Sequence, residues 1–107
     1  MTTPYTVFSN LTEEVKEIPK DSILSRALFS EENVKVTLFR FDKGQELTEH
    51  TASWPAILHF IEGEADLTLG TDAFKAAAGT WVHMPAHLPH SLVAKTPVVM
   101  LLYLLTG

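Results

Sequence analysis

The sequence predicts an all-β domain, a sandwich or jelly-roll barrel, and three observations carry that expectation. Its apolar runs are short, the longest being the eight residues Val98–Leu105. Turn residues, chiefly Gly, Pro and Asp, separate those runs along the chain. A 3.6-residue apolar period is confined to a weak stretch at residues 12–17, so no amphipathic helix is expected to organise the core. Closely spaced strands with frequent turns pack as two sheets or close into a barrel.

Each element can be justified in order. Val34–Phe41 alternates Val34, Val36, Leu38 and Arg40 on one face with Lys35, Thr37, Phe39 and Phe41 on the other, which is the period of a strand. Asp42-Lys43-Gly44 ends it with turn chemistry. Residues 56–61 are apolar on both faces except at His59. The tight Glu62-Gly63 follows, then Ala65–Leu69 with Ala65, Leu67 and Leu69 alternating against Asp66 and Thr68, so residues 56–69 read as a hairpin. Gly70-Thr71-Asp72 is the next turn, and Phe74 starts a short strand. Gly79 precedes a strand over residues 80–84 that Pro85 stops. Residues 85–89 form a loop, and residues 90–95 resume as a strand. Val98–Leu105 is rich in Leu and Val without alternation, so both its faces should be covered, inside a sandwich or by a second subunit; a homodimer is therefore expected.

With 107 residues and 46% hydrophobic content the chain suits one domain. Thirteen acidic residues against eight scattered basic ones give a net charge of −5, which argues against nucleic acid or an anionic membrane surface as partner. No cysteine is present, which excludes disulfides, thiolate nucleophiles and Cys-ligated zinc or iron–sulfur centres. A metal would have to be held by His, carboxylate or water. Residues 1–10 lack the pattern of a secretory signal, and no apolar run approaches the roughly 20 residues that span a bilayer, so a cytoplasmic protein is expected.

All five histidines lie between His50 and His90. Gly44, five residues, His50, one residue, Ala52, three residues, Ala56, six residues, Gly63 is similar to the first cupin motif, G-x5-H-x-H-x3-E-x6-G, with its second His and its Glu replaced by alanines. Gly79, five residues, Pro85, one residue, His87, two residues, His90 resembles the second motif, G-x5-P-x-G-x2-H, with the inner Gly replaced by His87. The likeness runs from about Val34 to Tyr103. It implies a small single-domain cupin of the RmlC-like, conserved-barrel type: a double-stranded β-helix over residues 34–107, with residues 1–33 contributing N-terminal strands and an arm to the same domain.

The resemblance also implies that His50 and His90 converge on one interior point, where two imidazoles begin a site for a divalent transition metal such as Zn, Fe, Mn, Ni or Cu. Such sites ordinarily take a third protein donor. His59, in the strand expected to partner His50, becomes that donor if Trp54-Pro55 introduces a bulge that shifts the register; strict alternation instead turns it outward. His87, in the rim loop, either reaches the mouth or is solvated. His83 is expected on the outer face, near His59. Leu58, Phe60, Met84 and Leu92, with Trp54 at the rim, are the expected pocket lining, suited to a small apolar or aromatic ligand. Arg40 either orients a carboxylate inside the barrel or serves the surface.

The leading functional expectation is a small cupin acting on a small organic molecule, a metal-dependent dioxygenase, isomerase or lyase. The alternative is a metal-free module that binds a small ligand without chemistry, motivated by Ala52 and Ala56. An assembly subunit is a third reading and rests on the apolar last strand alone.

Overall fold

The computed structural model describes residues 4–17 and 19–107, so the first three residues of the expected arm lie outside it. After a 3-10 helix at Leu11–Val15 come nine strands: β1 (Ile23–Ser30), β2 (Val34–Phe41), β3 (Glu46–His50), β4 (Ala56–Glu62), β5 (Ala65–Leu69), β6 (Asp72–Ala76), β7 (Trp81–Met84), β8 (His90–Ala94) and β9 (Val98–Leu105). The stretch at residues 12–17 thus yields one short 3-10 helix, whose start is capped by the Asn10 side chain accepting from the Thr12 backbone N–H at 3.2 Å.

Two antiparallel sheets face each other, ordered β1-β2-β9-β4-β7 and β3-β8-β5-β6. Between them lies a core of Phe41, Leu58, Phe60, Leu67, Met84, Leu92 and Met100, all at most 3% exposed. Burying each such side chain contributes about 1.5–3 kcal/mol. The unalternating β9 is explained by its place at the centre of the larger sheet. Val98 and Met100 enter this core, while Val99 and Leu101 join a second cluster on the outer face, where Val15 of the 3-10 helix packs on Leu38. The chain's own N-terminal segment therefore supplies much of the second covering. Arg40 belongs to that arrangement too: its Nη1 donates to the Val15 carbonyl at 3.1 Å, tying the 3-10 helix to β2 instead of lining the barrel.

The hairpin expected over residues 56–69 does not form. β4 pairs with β9 and β7, whereas β5 pairs with β8 and β6 in the other sheet. Glu62-Gly63-Glu64 is a corner that carries the chain between sheets. Glu64 N–H donates to Thr96 Oγ1 at 2.9 Å and the Lys95 N–H donates to the Glu64 carbonyl at 2.8 Å. Gly63 is required there: its φ is +87°, and a Cβ would collide with the Pro97 carbonyl oxygen. Likewise the strand bearing His50 is partnered by β8, not by the strand bearing His59.

Candidate functional site

His50 ends β3 and His90 opens β8, and because these strands run antiparallel the two residues become register partners. The pairing is irregular between Leu47 and His50, a bulge of the kind that re-aims a side chain. Their ring centroids lie 4.1 Å apart with the planes tilted by 57°. His50 Nδ1 is 2.8 Å from the Thr48 carbonyl oxygen and His90 Nδ1 is 2.9 Å from the Leu88 carbonyl oxygen. A carbonyl can only accept, so in each ring Nδ1 carries the hydrogen and donates, and in the neutral ring Nε2 keeps a free lone pair. Each histidine uses the carbonyl two residues before it, so the same local device sets both tautomers. His50 is exposed and His90 half-buried, which places the pair at the mouth and open to solvent.

Metal-ligating imidazoles are typically held in this way, with one nitrogen fixed by a carbonyl and the other presented. Two such rings would offer a divalent transition metal two imidazole nitrogens. Among the described residues no group of three or more His, Cys, Asp or Glu side chains is placed to hold an ion, so water or substrate would fill the remaining positions. The alanines explain the shortage. Ala56 is 2% exposed, pointing into the core across from Met84 and Leu104, and Ala52 is half-buried in the segment after His50.

His59 does not join the pair. Its register partners are Trp81 and Leu101, and its neighbours Leu58 and Phe60 point into the core, so β4 alternates and His59 stands on the outer face. The irregularity in β4 falls between Phe60 and Glu62, beyond His59, and Trp54-Pro55 leaves the register of the strand intact. His83 lies across from Ile57 and diagonally from His59, whose direct partner on β7 is Trp81. Leu58, Phe60, Met84 and Leu92, expected as a pocket lining, are packed core with at most 3% exposure. Trp54 is at the rim and 48% exposed. A cavity of about 510 Å³ opens elsewhere, between the N-terminal arm and the outer sheet face, lined by Tyr5, Phe8, Leu11, Phe29 and Tyr103 among others.

His87 occupies the loop between β7 and β8, which joins the two sheets. Leu88 N–H donates to the Pro85 carbonyl at 3.4 Å, closing a turn in which His87 takes the left-handed φ of +68°. That conformation is ordinarily left to Gly or Asn at the third position of a turn. The His87 N–H donates to the Ala52 carbonyl at 2.8 Å, which lashes the second-motif loop to the first-motif segment beside the histidine pair. The sequence signal for this was the histidine standing in the place of the motif's inner glycine.

The cupin-domain family model matches residues 37–104, which include His50, His90 and most of both sheets. The chain belongs to the cupin family. Among solved structures, this cupin is similar to a conserved protein of unknown function from Streptococcus pyogenes, with a TM-score of 0.82 and 30% identity, covering 100% of this chain and 91% of that one. It is also similar to a cupin superfamily protein from Desulfitobacterium hafniense, with a TM-score of 0.80, 25% identity and coverage of 85% and 84%. The fold alone is shared with salicylate 1,2-dioxygenase from Pseudoaminobacter salicylatoxidans at a TM-score of 0.73 and 14% identity, over 88% of this chain and 28% of that one. No functionally curated protein matches the sequence. No helix among the described residues is long and apolar enough to cross a membrane.

Proposed function

We propose that this cupin binds one divalent transition metal through Nε2 of His50 and His90 and acts on a small organic molecule at the barrel mouth, by oxygenation, isomerisation or elimination. The observation that carries the reading is the pair of imidazoles at 4.1 Å whose Nδ1 atoms are both committed to main-chain carbonyls. When bound, the metal supplies a Lewis acid for a substrate oxygen. The protein's part is to present two nitrogen donors in fixed orientation on the solvent side of a packed core, so that the substrate approaches from the mouth. The test is elemental analysis of tag-free protein exposed in turn to Fe, Mn, Ni, Cu and Zn, alongside His50→Ala. Near-stoichiometric metal in the wild type and its loss in the variant are expected; equal metal content in both would reject the reading.

Ala52 and Ala56 favour a second reading, a metal-free cupin that binds a small ligand without chemistry. It requires a wild-type protein that takes up none of these metals yet melts higher with an apolar ligand in excess of its Kd. We further propose that the protein is a homodimer, joined through the outer face of β4 and β7, where Trp81 is 59% exposed beside half-buried Ile57 and His59.

A further inference from the structure

We infer that the cavity between the N-terminal arm and the outer face of the larger sheet is a second ligand site, shaped for a small organic cation with an aromatic or apolar body. Its volume of about 510 Å³ is that of a small-molecule site. Its sheet wall comes from β1, β2 and β9, whereas His50 and His90 lie on β3 and β8, so it shares no strand with the histidine pair.

That wall is made by a departure from strand geometry. Strict alternation along β1 would turn Leu28 and Phe29 to opposite faces. The pairing of β1 with β2 shifts register between Ala27 and Phe29, so that Phe29 becomes the partner of Val36, which is itself the partner of Tyr103. Leu28 and Phe29 consequently both line the cavity, and Phe29, Val36 and Tyr103 form a row across three strands. Bulges re-aim side chains in this way and are enriched at sheet edges and next to active sites. The arm adds two more rings, Tyr5 and Phe8. Four aromatic side chains, from the arm, β1 and β9, thus converge on one space.

Charge decides what that space would hold. Glu31 is the only Asp, Glu, Lys, Arg or His among the described lining residues. It stands at the tip of the β1–β2 hairpin, where its N–H donates to the Val34 carbonyl at 2.9 Å. No described residue forms an ion pair with it, and Arg26, in the preceding strand, is engaged by Glu14 at 3.0 Å. A carboxylate beside the negative faces of aromatic rings attracts a cation and repels an anion. The net charge of −5 acts in the same sense. The ligand class is therefore an amine or quaternary ammonium carrying a ring or a short alkyl body.

The experiment titrates the full chain with three probes of similar shape, 2-phenylethylammonium, 2-phenylethanol and 3-phenylpropionate, followed by backbone amide chemical shifts. It is run on wild type, Glu31→Gln, Glu31→Lys, Phe29→Ala and His50→Ala, with sedimentation of each. The wild type is expected to bind the ammonium tightest and the carboxylate weakest, with shifts concentrated at residues 28–31 and 101–103. Glu31 is exposed, so its variants should fold. Glu31→Gln should weaken the ammonium about two- to fivefold and leave the alcohol unchanged, and Glu31→Lys should invert the order of the two charged probes. Phe29→Ala should weaken all three, and His50→Ala none. Absence of shifts at those residues with every probe, equal affinity for all three, or an ammonium affinity unmoved in Glu31→Gln would overturn the proposal. A wild type that binds no probe, with self-association lost in Phe29→Ala alone, would overturn it too and assign the cavity to a second copy of the chain.

Discussion

At the scale of single residues, the protein shows how one carboxylate can organise the start of a sheet. Asp42 follows β2, and its Oδ2 accepts from the Asp21 N–H at 2.6 Å while its Oδ1 accepts from the Lys43 N–H at 2.9 Å. The Asp21 bond foremost, then the Lys43 bond, favour the ionised form and hold the Asp42 carboxyl below its ordinary value of 3.8. A folded-state value below the unfolded one means that the group stabilises the fold at neutral pH and that this contribution is lost as pH falls through the depressed value. Asp42→Asn should therefore melt lower than wild type at neutral pH, with the gap closing as the pH is taken below 3.8; a gap independent of pH would contradict the assignment. The residue scale is also where much of the site was legible. Gly44, His50, Gly63, Gly79, Pro85 and His90 mark the family by spacing alone, because the fold's turns and donors sit at fixed intervals. What spacing does not carry is which ring nitrogen is committed and to what, since that depends on carbonyls whose direction is set by the folded strand.

At the scale of elements, local alternation was informative and pairing was not. Ala65–Leu69 declares its buried face through period-2 patterning, and Val34–Phe41 alternates between two covered faces, Phe39 and Phe41 toward the barrel core and Val36 and Leu38 toward the 3-10 helix. By contrast, Glu62-Gly63 carries the same turn chemistry whether the flanking strands pair with each other or part to opposite sheets. The deciding contacts come from Thr96 and Pro97, more than thirty residues away in sequence. This makes the corner a point of specific weakness. Gly44 and Gly63 have nearly identical φ, +85° and +87°, but a Cβ on Gly44 meets nothing within 4 Å, whereas one on Gly63 meets the Pro97 backbone. Gly44→Ala should cost about 1–2 kcal/mol for the left-handed backbone alone, and Gly63→Ala clearly more, measured by denaturant unfolding of the two variants side by side. Equal losses would mean that the corner yields without strain.

At the scale of the whole molecule, the two sheets have different duties. The larger one buries residues on both faces, between the barrel core on one side and the 3-10 helix on the other, and its β4–β7 side leaves Trp81 in solvent. If that side is the dimer face, sedimentation should give a two-protomer species for the wild type. Trp81→Lys should shift the protein toward monomer at equal concentration without altering its β-dominated spectral signature. A monomer at all concentrations for the wild type would reject the proposed dimer.

The smaller sheet carries the histidines in an uneven setting. β8 lies between β3 and β5, but β3 is the margin of its sheet, hydrogen-bonded on one side only and largely exposed along its length. One half of the donor pair is therefore mounted on a strand that can fray, while the other half is anchored inside the sheet. Solvent exchange at the amides of residues 46–50 can thus proceed through a local opening that leaves the barrel folded. An occupant gripped by both rings would act as a clasp on that margin, linking the affinity of the site to the breathing of a single strand.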